Sequence, residues 1–296
     1  METVIKGHMV YAMSPDNEPA FRVPSGSTLV FDTFDCFGGQ ITCEEKGMDT
    51  LDWDHTNPAT GPVYIEGAEP GDALRVAIHT IELDDHGTMC AIPENGIFGD
   101  RIEKSSVRIL PVHDDMVEFT PDIQIPCNKM IGVIGVAPAE GSINCGTPGS
   151  HGGNMDNTQI TENTVIYLPV RTPGALLAMG DVHAAMGDGE VNVSGVEIAA
   201  RITVTVDVIK NMPIENPLLE NDEKIYAIAS NTNLFEAIHT AASTVLELTM
   251  ERLGMNVNDA GMLLSACGNA EVCQIVDPLM TARFSMPKKY VGGWEK

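Results

Sequence analysis

A mainly β fold with a small helical C-terminal portion is what this sequence predicts, on three observations. Short apolar or alternating runs recur from Phe21 onward and are bounded by turn residues. The 28 glycines and 18 prolines punctuate those runs. Only after Lys210 does the spacing become helical, with Leu234, Ile238, Ala241, Ala242, Val245 and Leu248 on one stripe.

At 296 residues the chain can bury a sizeable core as one large domain or two small ones. Residues 1–215 read as a β-rich catalytic domain, and 216–296 as an α/β portion packed on it or continuous with it. Hydrophobic residues at 43% and charged residues at 20% mark a globular composition. The 17 basic against 42 acidic residues give a formal net charge of -25. That balance argues against nucleic acid and membrane surfaces as partners, and leaves neutral or cationic ligands, divalent metals included. Seven cysteines, scattered without close pairing, do not form a disulfide framework, so a cytoplasmic location is expected. No leader is expected from the first residues, and no run approaches the roughly 18 apolar residues of a membrane span.

Taken in order, Phe21 to Val23 and Leu29 to Phe31 read as strands around a Pro24-Ser25-Gly26-Ser27 turn, a hairpin-like corner. Val63 to Glu66 and Leu74 to Leu83 repeat the arrangement around Glu69-Pro70-Gly71-Asp72. Asp32, Asp35 and Glu66 lie near strand ends. An acid in an otherwise apolar strand must be solvated, paired or bound, because an isolated buried carboxylate is too costly. Asp32 and Asp35 fall on opposite strand faces, and Asp35, beside the Cys36-Phe37-Gly38-Gly39 loop, is the better pocket candidate. His55, with Asp52 and Asp54, sits in a polar loop that could ligate a metal or be merely solvated. Residues 84–129 read as edge strands with a lid or linker, and His86 and His113 as surface histidines.

The stretch 130–193 concentrates the chemistry. Residues 130–138 form an apolar strand, followed by a long glycine-bearing loop from which His151 and Asp156 project. Gly152, Gly153, Asn154 and Asp156 in that loop are the candidate substrate contacts. Asp181 and His183, two apart, point to one face of a strand end. His151, Asp181 and His183 make a plausible three-ligand set for zinc, with Asp35 as a further candidate ligand. Glu66 or Glu190, the latter opening the next strand-like run, is then the candidate general base on a metal-bound water. Two other readings stay open. Cys36 or Cys145, in glycine-containing loops, could be a nucleophile. Asp156, Asp188 and Glu190 could hold calcium in a ligand-binding module without turnover.

Past the Pro/Asn-rich connector at 211–222, one helix runs to a stop at Gly254, and a second starts near Asn258 and ends at Gly268-Asn269. His239 lies among apolar neighbours and reads as packing.

Several segments together resemble the acetamidase/formamidase family. They are SPDNEPAFRVPSGSTLVFDTFDCFGGQ, GPVYIEGAEPGDAL, IGVIGVAP, HGGNMDN, YLPVRTPGALLAMGDVHAAMGDGEV and MLLSACGNAEVCQIVDP. HGGNMD followed by GDxHAAxGDGE is a specific combination, and the likeness runs along most of the chain. The resemblance implies a predominantly β, sandwich-like fold and hydrolysis of short amides, of the formamide or acetamide type, to carboxylate and ammonia. A different non-peptide C–N bond is the neighbouring alternative. The unreactive carbonyl of a small neutral amide needs polarisation and an activated water, and one divalent metal provides both. Edge strands and an exposed helical pair also suggest a homo-oligomer.

Overall fold

Two strands without a polar surface, Met130–Gly135 and Leu177–His183, are buried along their whole length. In the computed structural model, which describes residues 2–4, 7–48 and 50–295, they pair antiparallel inside an 11-stranded sheet. From one edge, that sheet runs Ile123–Pro126, Met116–Thr120, Ser106–His113, His86–Ala91, Glu197–Ile198, Leu177–His183, Met130–Gly135 and Gly152–Asn154. A nine-stranded sheet faces it, with Ala200–Ile209 between Ser27–Thr33 and Ala73–Leu83. Leu29, Phe31, Ile78, Ile81 and Ile202 from this sheet share one core with Val63, Leu110, Ile131, Ile134 and Val182 from the other. This is the expected mainly β, sandwich-like architecture.

Residues after 216 extend the nine-stranded sheet with Leu218–Glu220, Lys224–Asn231, Met280–Pro287 and Asn269–Gln274. Helix α1, Leu234–Leu253, lays Ala237, Ala241, Val245 and Thr249 against those strands. The Asn233 side chain caps its first turn by accepting from the Phe235 and Glu236 N–H groups, and Gly254 ends it in the left-handed conformation. Helix α2, Val257–Cys267, is capped by Asn256.

The expected hairpin corners are something else. Phe21–Pro24 pairs in parallel with Ala59–Glu66, while Ser27–Thr33 joins the opposite sheet. Ala59–Glu66 and Ala73–Leu83 are likewise split between the two sheets. The turn residues are local and readable. The partner of each strand is chosen by burial against distant segments.

One irregularity positions the site. Along one edge of Leu177–His183, Gly180 pairs with Ala59 and Val182 with Ile198, so two different strands share that edge. On the other edge Gly180 pairs with Val133 and Val182 with Ile131. Asp181 falls between paired neighbours on both sides, with φ of 53°.

Candidate active site

His183 is the centre of the arrangement. It is 1% exposed and lies opposite Glu197 across a strand pair. Its Nε2 is 2.9 Å from Glu197 Oε2, 3.5 Å from Asp181 Oδ1 and 3.9 Å from Asp156 Oδ1. Gly195 leaves the room for it, since a Cβ there would stand 2.5 Å from His183 Nδ1. Gly132 does the same for the acids: a Cβ would meet Asp156 Oδ1 at 2.5 Å and Asp181 Oδ2 at 2.8 Å.

Asp156, His183 and Glu190 offer ligand atoms within 4.8 Å of one another, as do Cys36, Asp181 and Glu197. Either set could hold a cation. Asp156, Asp181 and Glu190 all have left-handed backbones, at φ of 41°, 53° and 47°. A cavity of about 140 Å³ adjoins them, walled by Asn154, Asp181, Glu190, Glu197 and Asp277, with Phe37, Ile92 and Val193 among its apolar residues. That is room for a few heavy atoms, well below the ~300–1,000 Å³ of drug-sized pockets.

The electrostatics are those of acids crowded out of water. Burial, then the neighbouring Asp277 and Asp181, push the Asp156 carboxyl well above the usual range. Burial and Asp156 do the same to Glu190, and burial with Glu190 to Asp277. Burial lifts Glu197 to about 7, with His183 opposing part of the rise. For His183 burial acts downward, but Glu197 and Asp181 outweigh it and hold the imidazole well above its ordinary pKa. Among the described residues, both Asp156 oxygens, Asp181 Oδ1, His183 Nδ1 and both His151 ring nitrogens are buried without a hydrogen-bond partner.

Of the residues expected from sequence, Asp181, His183, Asp156, Glu190 and Asn154 converge here. Glu66 does not. It is exposed at the far end of Ala59–Glu66, seven residues or roughly 23 Å along the strand from Ala59, which pairs beside Asp181. Glu190 lies in a turn and not at a strand start, because Gly189 hydrogen-bonds to Cys273 and Ile275 instead of entering a ladder. His151 is buried apart from the acids, packed against Gly149 and Gly153, and burial alone lowers it to about 4. The antiparallel run of Gly152–Asn154 carries it toward Gly135, away from Gly132. Gly152 and Gly153 serve that packing: a Cβ on either would strike Ile134 O or Thr147 O, and neither walls the cavity. Asp35 stops short of the cluster, its Oδ1 accepting from the Gly39 N–H at 2.8 Å.

His55 is exposed against Asp52, and His86 and His113 are exposed as expected. The cysteine nucleophile finds no support. Burial, with Glu197 and Asp181 nearby, pushes the Cys36 thiol up, and burial takes Cys145 to about 12, the opposite of the lowered pKa an activated nucleophile needs.

Sequence reasoning missed Glu197 and Asp277. Glu197 carried a usable signal, an acid in the apolar run Val196-Glu197-Ile198-Ala199, the same argument applied to Glu66. Asp277, in a loop before Pro278, carried none.

Fold and site together define a two-sheet β protein with a small, strongly acidic cavity, one of whose wall residues, Glu197, is bonded to a buried histidine. The chain belongs to the Acetamidase/Formamidase family, which it matches over residues 6–145 and 139–287. Its structure is similar to that of a predicted acetamidase/formamidase from Thermoanaerobacter tengcongensis, 44% identical with a TM-score of 0.95, covering 98% of this chain and 97% of that one. An acetamidase from Bacillus halodurans is 42% identical at a TM-score of 0.95, covering 97% and 98%. A putative formamidase of Schizosaccharomyces pombe is 25% identical over 258 residues, so the match spans 67% of this chain and 63% of that protein.

Proposed function

We propose that this cavity hydrolyses short linear amides, of the formamide or acetamide type, to the carboxylate and ammonia with the help of a bound divalent cation. The observation that carries the reading is a cluster of partnerless buried carboxylate and imidazole atoms among the described residues, two of whose members, Asp181 and Glu197, wall a cavity of small-amide size. Buried charges need partners, and Asp156, His183 and Glu190 form a set that would hold a cation. Mixed imidazole and carboxylate ligation suits zinc, and the oxygen-rich surroundings make calcium the second candidate.

When bound, such an ion polarises a carbonyl and acidifies water. The chain's own residues supply the rest. Phe37, Ile92 and Val193 limit the acyl group to a short one. Glu197, which bonds His183 and walls the cavity, would take a proton from water and return it to the departing nitrogen. Glu190 is the alternative base if Glu197 is drawn into ligation.

Ammonia release from formamide and acetamide by purified protein tests the reading, with metal content measured in parallel. Activity should fall on chelation and return with the metal. His183→Ala should lose at least about 100-fold, the scale of a positioned acid–base or electrostatic group. A His183→Ala protein with full metal and full activity would falsify the assignment. Stabilisation by amides with no turnover would point to the calcium-holding binding module instead.

Cytoplasmic residence and a homo-oligomer belong to the same reading. The free state of all seven cysteines supports the first, and exposed Phe235, Val257 and Met262 on α1 and α2 support the second.

A further inference from the structure

Asn154 ends the strand Gly152–Asn154, is held opposite Val133, and is only 5% exposed where it walls the cavity. Its side-chain Nδ2 donates to Asp277 Oδ2 at 2.9 Å. Its Oδ1 is buried without a hydrogen-bond partner among the described residues. A carboxamide whose donor end is engaged presents its other end as a pure acceptor. In this arrangement the Nδ2 end is taken up by Asp277 and the Oδ1 end is the one left for a ligand.

The charged residues that wall the cavity, Asp181, Glu190, Glu197 and Asp277, are all acids, and Glu190 belongs to the cation set itself. A primary amide brings two N–H donors on the nitrogen that must leave. A ketone or ester of the same shape brings none there.

We propose that Asn154 Oδ1 accepts an N–H from the substrate's leaving nitrogen, making Asn154 the residue that selects amides over isosteres lacking that N–H. The inference rests on the amide-hydrolysis reading above and deepens it. Sites built to hydrogen-bond a substrate N–H reject the analogue without it far more strongly than apolar pockets reject a change of one methylene, because a buried acceptor is left unpaired.

The test compares acetamide with acetone, which puts CH3 where acetamide has NH2, as competitors of formamide hydrolysis followed by ammonia release. Wild-type protein should favour acetamide by at least about tenfold. In Asn154→Leu the ratio should collapse toward one with metal content unchanged. If that variant is inactive, calorimetric titration with the same two ligands gives the ratio. General damage to the site weakens both ligands alike, so the ratio isolates the hydrogen bond.

A wild-type ratio near one overturns the proposal and needs no variant. So does a preference that survives Asn154→Leu, or loss of metal from that variant with equal weakening of both ligands. No ammonia from formamide with wild-type protein overturns the amide reading itself, a result distinct from an active enzyme indifferent to Asn154.

Discussion

Left-handed backbone at Asp156, Asp181 and Glu190 costs about 1–3 kcal/mol per residue, and such strain persists only where the surroundings over-determine it. At Asp156 and Asp181 they do so through Gly132, which leaves no slack. Gly132→Ala should therefore disable the site without unfolding the protein. Its new Cβ would press on Asp156 and Asp181 from beneath, with an expected loss of roughly 1–3 kcal/mol and most of the ammonia release. Thermal unfolding and an amidase assay check both. His151 makes a separate prediction. Its folded pKa of about 4 lies below the roughly 6.5 of an unfolded histidine, so its contribution is complete above 6.5 and is lost as pH falls through 4. The loss is on the order of 3 kcal/mol, at about 1.36 kcal/mol per pKa unit. The melting temperature should fall more steeply between those pH values in wild type than in His151→Leu.

Among the elements, the strand Met280–Pro287 does more than extend a sheet. Its Arg283, 2% exposed, bonds Glu271 through Nε at 2.7 Å, Asn157 Oδ1 through Nη1 at 3.0 Å, and Asp188 through Nη2. One guanidinium thus ties the segments carrying Asp156 and Glu190 to the C-terminal strands. Arg283→Met should destabilise by about 3 kcal/mol and lower activity as the Glu190 turn loosens, and Arg283→Lys should not restore it, since an ammonium lacks the planar fork. Urea midpoints and ammonia release measure the two effects. At this scale the sequence was most readable: α1 stopped at Gly254, and the strands flanking Gly26 and Gly71 fell close to where their turns put them. Strand partners were not readable, because periodicity reports burial and carries no address. For the same reason Asp181 and His183, neighbours on one strand, could be paired in advance, whereas Glu197 and Asp277 meet them only through the fold.

For the whole molecule, a formal charge of -25 and a buried nest of acids pull the same way: a bound cation should be a substantial part of stability. At 100 times its dissociation constant, an ion that binds only the folded state adds about 2.7 kcal/mol. With about 2–4 °C per kcal/mol for chains of 150–250 residues, chelation should lower the melting temperature by roughly 5–10 °C. His183→Ala should abolish that chelator-dependent shift, which differential scanning calorimetry reads directly.

The edge of Leu177–His183 that is shared between two strands bears on synthesis as well as on shape. Cys36 precedes the shared strand, Glu197 lies on one of the strands sharing its edge, and Asp277 arrives from the last part of the chain. Chains emerge from the ribosome N-terminus first and fold as they lengthen. A nascent chain stalled before Asp277 therefore carries most of the sandwich but an unfinished cavity, with no Asp277 to hold the Asn154 amide.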